Sequence, residues 1–373
     1  MLTTAEIFIN EDLTSPKKLQ AKVGQRYYDA EHDILDYRLF YYNADEKLVE
    51  DKTRTNIKIS HPFFMILSDQ LAAYMLSFDE NPIRAKEGVE GLQEELDLYF
   101  DGQFWAEIGE LITGAYNKGF EYIFGKNGED DRMVFECADS LGVVEVQAKY
   151  ASDGKPHKIW HYVDVDLTEE GKRTVTKVQV WNEEGIHFFV KDSTEGDLVK
   201  DENVEINPRP HIVYTDEETG EKMGKMYPFI PFWRLDNNKK QQSGLNPVKA
   251  LIDDYDLHAC SLSNNLQDFD TPLHVVKGFE GDDLDKLQTN LKTKKLIGIP
   301  ENEGGVEIKT VDIPYQARKA KMDEDEKIVI CSCGPYVGRN FSAGADGCIA
   351  APAYRQGDSS GCIAQRIDLL CSP

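Results

Sequence analysis

One pentapeptide has the residue types of a nucleophilic centre: Gly357-Asp358-Ser359-Ser360-Gly361. It superficially resembles the loop that presents the nucleophile of serine proteases, but its fourth position is serine where glycine is usual. A serine nucleophile also needs a histidine base and an orienting acid on a scaffold that brings the three together. The eight histidines are scattered, and no His-Glu-x-x-His pair occurs. We therefore interpret the pentapeptide as a chance match and predict no catalytic residues.

Thiol chemistry is the second possibility, because five of the seven cysteines lie after residue 330. They are Cys331, Cys333, Cys348, Cys362 and Cys371. Structural zinc sites use Cys-x2–4-Cys pairs completed by a second pair or by histidines. Here Cys-x-Cys is followed by gaps of fourteen, thirteen and eight residues, and this tail has no histidine. A metal-binding knuckle is thus the weaker alternative. We therefore predict no metal. We also predict no cofactor, because the sequence has neither of the glycine motifs that bind phosphates, Gly-x4-Gly-Lys-Ser/Thr and Gly-x-Gly-x-x-Gly.

The net charge argues against a protein that reads DNA sequence. The chain has 67 acidic and 42 basic residues, which give a formal net charge of −25. Proteins that grip duplex DNA present basic faces, because phosphate neutralisation supplies most of their affinity. An acidic surface repels phosphates and keeps a protein soluble, and solubility alone would be a sufficient reason for the charge.

The chain is long enough for two or three domains, with 373 residues of which 40% are hydrophobic. The sequence contains no run of eighteen apolar residues, so we predict no membrane-spanning helix. Residues 1–10 lack the basic flank and apolar core of a signal peptide. We therefore expect a protein that acts in a cytosol-like compartment, with no membrane partner.

The first third of the chain is predicted to be helical, and the next part β-rich. Residues 1–45 form a tyrosine-rich helical segment, Pro62 opens an apolar helix that runs to about Phe78, and a further helical block covers residues 91–118. From Phe120 the hydrophobic period changes from helical to alternating, which predicts an antiparallel β region.

A long helix is predicted from Pro247 to Phe269. Its apolar stripe is Leu251, Tyr255, His258 or Ala259, Leu262, Leu266 and Phe269, at steps of three or four residues. Asp253, Asp254 and Asp256 lie off this stripe or at its flank. We therefore expect the three acids to point at solvent or at a lumen.

A compact α/β insert is predicted after Pro272. Its elements are a strand at Leu273–Lys277, a helix at Asp282–Leu291, and strands at Lys295–Pro300 and Val306–Val311. A short charged helix, Gln316–Ile328, follows Pro314. The order of helix, small module and returning helix predicts a stalk with the insert at its tip.

The last 43 residues, 331–373, differ abruptly from the rest of the chain. They contain no Lys or Glu, three Arg, three Asp, six Gly and five Cys, and no defensible helix or strand period. A reading-frame shift or a truncated gene would produce such a change.

Four stretches, in this order and spacing, resemble the portal protein family of long-tailed, siphovirus-type phages of Gram-positive bacteria. They are Tyr27–Ile34 (YYDAEHDI), Asn56–Gln70 (NIKISHPFFMILSDQ), Ile230–Phe232 with Asn237-Asn238 and Val248–Asp256 (VKALIDDYD), and Ser263–Phe269 (SNNLQDF) followed by Val276-Lys277-Gly278. The resemblance covers residues 20–328. After the second helix the family continues into a tunnel loop, a tunnel helix, the rest of the wing and a crown, where this chain has its cysteine-rich tail.

The resemblance implies an α+β fold and a dodecameric ring at one capsid vertex, a conduit for genome packaging and ejection and not an enzyme. Residues 1–235 would form the wing, 236–271 the first stem helix, 272–313 the α/β clip, and 314–330 the second stem helix. Implied partners are other copies of the chain, the large terminase subunit, head-completion and adaptor proteins, scaffold and major capsid protein, and double-stranded DNA that passes through without sequence-specific binding. The location would be the virion, and the host cytoplasm during assembly.

Two sets of site residues follow from the resemblance. Asp253, Asp254 and Asp256 would face the tunnel as negative rings, which keep DNA from adhering as it moves. The clip would dock terminase through its charged residues, Asp282, Asp283, Lys286, Lys292, Lys294 and Lys295. Alternatives are a defective prophage remnant, an acidic protein-binding adaptor without conduit activity, and a metal-dependent or nucleophilic enzyme, which only scattered acids and the tail favour.

Overall fold

The protein is described by a computed structural model over residues 2–43, 45–52, 54–86, 91–127, 133–151, 153–168, 171–191, 196–216, 219–269, 273–277, 305–309 and 315–332. It has an α+β fold, as predicted. The chain divides into two compact units. The larger unit takes residues 1–31, 62–249 and 330–373, and the smaller unit takes residues 32–61 and 250–329. The smaller unit therefore groups an early segment with the C-terminal helices. The division into wing, stem and clip stays a prediction.

The described helices and strands have the following bounds. The helices are Leu2–Leu13 (α1), Pro16–Tyr28 (α2), Phe63–Met75 (α3), Leu92–Tyr99 (α4), Gly102–Lys118 (α5), Lys249–Phe269 (α6) and Tyr315–Ser332 (α7), with a 3-10 turn at Asp33–Asp36. The strands are Phe40–Tyr42 (β1), Leu48–Glu50 (β2), Phe120–Asn127 (β3), Met133–Ala138 (β4), Val143–Val146 (β5), His157–Thr168 (β6), Gly171–Asn182 (β7), Gly185–Lys191 (β8), Val199–Lys200 (β9), Ile212–Thr215 (β10), Lys222–Lys225 (β11), Phe232–Asp236 (β12), Leu273–Lys277 (β13) and Gly305–Lys309 (β14).

Local capping sets the ends of the helices in the larger unit. The Ser15 side chain accepts a hydrogen bond from the Lys18 amide, and Pro16 occupies the first position of α2. The Asp101 carboxylate accepts hydrogen bonds from two amides at the start of α5. Because Asp101 begins a new helix, the single block predicted over residues 91–118 is wrong: it is α4 followed by α5.

Two antiparallel sheets form most of the larger unit. Strands β5 to β9 pair in sequence order, and the second sheet has the order β12-β3-β4. The main core cluster is aromatic, and its members include Phe120, Tyr122, Phe124, Trp181, Phe188 and Phe232. The stripe of α5 packs against β3 and β12 through Leu111, Ile112 and Ala115. The alternating pattern read after Phe120 therefore corresponds to an antiparallel β region, as predicted.

A cluster of charged side chains is buried in this unit. Glu121 on β3 is 4% exposed and pairs with Lys118, which also contacts Asp139 at 2.7 Å. Lys18 on α2 is 2% exposed and donates to the Val143 carbonyl at 2.7 Å. Burial raises the pKa of Glu121 to about 7, although the Lys118 ammonium acts in the opposite direction.

Several sequence predictions fall outside the described residues. These include the helix at 282–291, the strand at 295–300, and the tail from residue 333 onward. Helix α7 ends at Ser332, two residues beyond the change in composition. None of the helices in the described part of the chain combines the length and apolar character that crossing a bilayer requires.

Candidate functional site

Helix α6 buries a different face from the predicted one. Its most buried described residues are Ile252, Asp256, Ala259 and Cys260. The predicted stripe is only partly buried: Ala259 is buried, Leu251, Tyr255 and Leu262 are half-buried, and Leu266 is 53% exposed. The buried face therefore contains the carboxylate of Asp256 and the thiol of Cys260. A search for apolar residues at helical spacing does not count these two residues, so it does not find this face.

The buried carboxylate of Asp256 lies between two histidines. Its Oδ2 is 2.5 Å from Nδ1 of His32, and its Oδ1 is 2.7 Å from Nδ1 of His61. The side chains of Asp256 and His32 have no exposed surface, and that of His61 is 29% exposed. A carboxylate only accepts hydrogen bonds, so both contacts require a proton on the histidine nitrogen.

The electrostatics favour a charged aspartate at this position. Burial by itself would raise the pKa of Asp256, but the hydrogen bonds from His32 and His61 outweigh it and hold the pKa below its ordinary value. The His61 amide also donates to Oδ1 at 3.1 Å. These contacts explain how the charge is tolerated, because a fully buried acid is rare unless it is paired.

Two further contacts repeat the pattern along α6. The Ile59 amide donates to Cys260 Sγ at 3.2 Å, and the thiol donates back to the Ile59 carbonyl at 3.4 Å. The Ile57 amide donates to Asn264 Oδ1 at 2.6 Å. Burial raises the pKa of Cys260, which keeps the thiol protonated and able to donate.

These contacts attach an extended segment, residues 57–61, to α6. Residues 57, 59 and 61 donate to side chains at 264, 260 and 256, so two residues of the segment match four residues of the helix. Four helical residues rise about 6 Å and two extended residues about 6.6 Å, so the periods nearly coincide. We name His32, residues 57–61, Asp256, Cys260 and Asn264 the α6 network.

Helix α7 runs antiparallel to α6 and contacts it through polar side chains. Lys321 Nζ is 2.7 Å from Asp254, and Lys321 also pairs with Asp325, which is 1% exposed. The Asn265 amide oxygen, in the orientation its neighbours favour, accepts from both Arg318 nitrogens at 3.0 Å. The predicted pairing of the two helices is thus present in the smaller unit.

The two strands between these helices pair with each other. Strand β13 begins four residues after α6, and β14 ends six residues before α7. They are antiparallel, with Leu273 opposite Lys309 and Lys277 opposite Gly305. The predicted strand at 273–277 is confirmed, and the one predicted at 306–311 lies at 305–309.

The predicted site residues have different outcomes. The expectation that Asp256 points at solvent is wrong, because its carboxylate is enclosed by His32 and His61. Asp253 and Asp254 are half-buried, and the Lys321 hydrogen bond holds the pKa of Asp254 below its ordinary value. The clip residues lie outside the described part of the chain; they are Asp282, Asp283, Lys286, Lys292, Lys294 and Lys295. No cluster suited to a metal ion occurs among the described residues.

The four stretches that carry the family resemblance meet in the α6 network. His32 comes from the first stretch, residues 57–61 from the second, Asp256 from the third and Asn264 from the fourth. His61, directly before the proline that precedes α3, binds Asp256 through its ring. The four stretches therefore contain residues that form the α6 network, although the sequence does not show which of those residues pair with one another.

Comparisons with known proteins agree with the resemblance. A family model described as phage portal protein, SPP1 Gp6-like, matches residues 15–330. The chain is 26% identical over 308 residues to the portal protein of Bacillus phage SPP1, covering 80% of this chain and 57% of that protein. It is 22% identical over 318 residues to the portal protein of Clostridium phage phiCD119, covering 81% of this chain and 64% of that protein.

A solved structure described as the neck of an empty GTA particle computed with C6 symmetry contains a similar chain. Identity is 13% and the TM-score is 0.37, over 71% of this chain and 64% of that one. The chain spans between 57% and 64% of the length of the two curated relatives above. The family match ends at residue 330, directly before the composition changes.

Proposed function

Because the chain belongs to the SPP1 Gp6-like family of phage portal proteins, we propose that it is a subunit of a ring at the capsid vertex through which double-stranded DNA is packaged and ejected. The observation that carries the proposal is the convergence of all four family stretches on one buried network that fixes α6. A conduit needs a rigid wall, and a helix whose buried face is held by three sets of side-chain hydrogen bonds supplies one. The proposed role is structural, without catalysis.

The proposed ring has twelve copies and docks other proteins at the tip of the helix pair. The support is the chain order, since β13 and β14 lie between α6 and α7 and pair with each other. In this proposal the segment 272–313 is the clip, which contacts the large terminase subunit and later the head-completion proteins. A portal-derived chain without conduit activity is the second candidate, favoured by the change in composition after residue 330.

Imaging of the purified chain tests the ring directly. We expect negative-stain particles with a central hole, and light scattering should give a mass about twelve times the 42.3 kDa of one chain. A single monomeric species at every protein concentration would contradict the ring and favour the second candidate.

Two of the three acids first assigned to the tunnel remain candidates for it. Asp253 and Asp254 are half-buried in the single chain, and Asp254 pairs with Lys321. Repeated around a ring, these carboxylates would repel phosphates and limit DNA adhesion. Asp256 no longer belongs to this set because it is enclosed.

The acid role predicts a charge effect that depends on position. We expect Asp253→Asn with Asp254→Asn to slow packaging severalfold in an assay with purified heads and terminase. The control is Glu94→Gln with Glu95→Gln, which removes the same charge from two exposed positions on α4. Equal packaging rates for the two double variants and the unmodified chain would remove the role.

A further inference from the structure

The hairpin formed by β1 and β2 exposes an unusual amount of apolar surface. Its large apolar side chains are Phe40 (54% exposed), Tyr41 (50%), Tyr42 (72%), Leu48 (59%) and Val49 (37%). Tyr42 is opposite Leu48 and Tyr41 is opposite Val49 in the antiparallel register. Because opposite residues share a face and neighbours alternate, both faces of the hairpin are apolar and exposed.

Such a hairpin requires a cover. A two-stranded ribbon is at best marginally stable in water without another surface to pack on. Exposed apolar patches of this kind mark interaction sites in soluble proteins. Among the described residues of the single chain, none covers the hairpin, since all five apolar side chains are exposed.

The same unit carries a second exposed apolar surface, on its helix pair. Leu266 near the end of α6 is 53% exposed and Tyr315 at the start of α7 is 45% exposed. Leu262, one turn before Leu266, is half-buried. The contact between Asn265 and Arg318 places the end of α6 beside the start of α7. We name Leu262, Leu266 and Tyr315 the helix-end patch.

The charges of the two surfaces are complementary. Copies with a net charge of −25 repel one another, so an interface needs cations on one side. The base of the hairpin supplies them: Arg38, which is 3.7 Å from Glu50, and Arg54, which is 4.0 Å from Asp51, remain 61% and 67% exposed, and Lys52 is exposed as well. Helix α7 presents the exposed acids Asp323 and Glu324 between the exposed lysines Lys319 and Lys327. Opposite charges at an interface fix its register and suppress wrong partners.

We propose that the β1–β2 hairpin docks on the helix-end patch and α7 of a second copy of this chain. This contact rests on the proposed ring and names the surfaces that close it. Because the hairpin and the patch are different surfaces, the contact is heterologous, and repetition of a heterologous contact generates a ring when the rotation closes. The hairpin of each copy then covers the patch of the next.

Photo-cross-linking identifies the occupant. The photoreactive amino acid p-benzoylphenylalanine replaces Tyr42, and equal amounts of chain with natural and with fully ¹⁵N-labelled nitrogen are mixed under denaturing conditions and refolded together. After irradiation we expect mass spectrometry to find cross-links from residue 42 to peptides of α6 or α7, with mixed isotope pairs about as frequent as matched ones. The same substitution at Tyr150, which is 63% exposed in the larger unit, should give no cross-link to α6 or α7.

The outcomes separate this inference from the proposed function. Rings that show cross-links only within one copy, or to another part of the neighbouring copy, overturn the contact and leave the conduit in place. Cross-links to segment 278–304 of the same copy would identify an internal cover and overturn it as well. A monomer that gives no mixed isotope pairs overturns both.

Substitutions test the contribution of the hairpin to assembly. We expect Tyr42→Ser with Leu48→Ser to weaken association roughly 100-fold, because truncating two central apolar contacts typically has effects of this size. The unfolding midpoint of the isolated chain should stay unchanged, since both side chains are exposed there. The control is Tyr150→Ser with Val163→Ser, at 63% and 71% exposure, which should assemble normally. Equal association by sedimentation for all three chains would contradict the proposal.

Discussion

Replacing Asp256 with asparagine is expected to destabilise the smaller unit by about 3 kcal/mol, the cost of leaving a buried hydrogen-bonding group without its partner. The side chain is fully buried, and each carboxylate oxygen accepts a hydrogen bond from a histidine. An amide presents one acceptor and one donor group in place of two acceptors, so His32 or His61 loses its bond. The larger loss is at His32, which has no exposed surface on its side chain.

The measurement has to report the smaller unit alone. All four tryptophans, Trp105, Trp160, Trp181 and Trp233, lie in the larger unit, so their fluorescence does not follow α6. Hydrogen exchange of α6 amides by mass spectrometry reports the opening of this helix. We expect roughly a 100-fold loss of protection in Asp256→Asn, which corresponds to about 3 kcal/mol.

Asp254 provides the matched control. It lies two residues away on the same helix and pairs with Lys321, but its side chain is 37% exposed. Partly exposed pairs contribute at most about 1 kcal/mol. Asp254→Asn should therefore change α6 protection by less than about fivefold. Equal loss of protection in the two variants would show that burial of Asp256 is not the source of the effect.

The pH dependence of the same difference follows from its sign. The folded-state pKa of Asp256 lies below its ordinary value, so its ionised form stabilises the folded state. The contribution is fully present above the unfolded-state pKa of about 4 and is lost as pH falls through the lower folded-state value. The gap in α6 stability between the unmodified chain and Asp256→Asn should thus be constant at neutral pH and narrow below about pH 4.

The α6 network shows where sequence reasoning stops. The period of apolar residues placed a helix at 247–269, and the helix spans Lys249–Phe269. The same period predicted the wrong buried face of α6, because the prediction took charged residues to point at solvent. Asp256 is buried instead, because His32 and His61, which lie 224 and 195 residues away along the chain, bind its carboxylate. Pairings at such separations depend on the tertiary fold and leave no local pattern.

Local chemistry predicted other elements more closely. Pro62 directly precedes α3, and Pro272 and Gly278 flank the strand at Leu273–Lys277. Proline fixes its own backbone φ angle and lacks the backbone N–H donor, so its effects can be read from the few residues around it. The break between α4 and α5 was missed, because apolar residues at helical spacing, Leu96, Phe100 and Phe104, continue across it, whereas the Asp101 side chain caps a new helix.

The larger unit should lose stability as pH rises from about 4.5 to 8, through Glu121. Burial raises its folded-state pKa to about 7, so the folded state holds this proton more tightly than the unfolded chain does. For a raised carboxyl pKa, the stabilisation is present below the unfolded-state value and disappears as pH rises through the folded-state value. A difference of about 2.5 pKa units corresponds to roughly 3 kcal/mol.

Comparison with Glu121→Gln isolates this effect, because other groups titrate in both chains. Denaturant unfolding followed by tryptophan fluorescence reports the larger unit, and the stability of the unmodified chain relative to Glu121→Gln should fall by about 3 kcal/mol between pH 4.5 and 8. Lys118→Met supplies a control of opposite direction: its ammonium lowers the Glu121 pKa, so its removal should move the midpoint of the fall above pH 7. A stability difference that does not change with pH would show that the Glu121 carboxyl ionises alike in the folded and unfolded chains, and that the charge cluster fully compensates its burial.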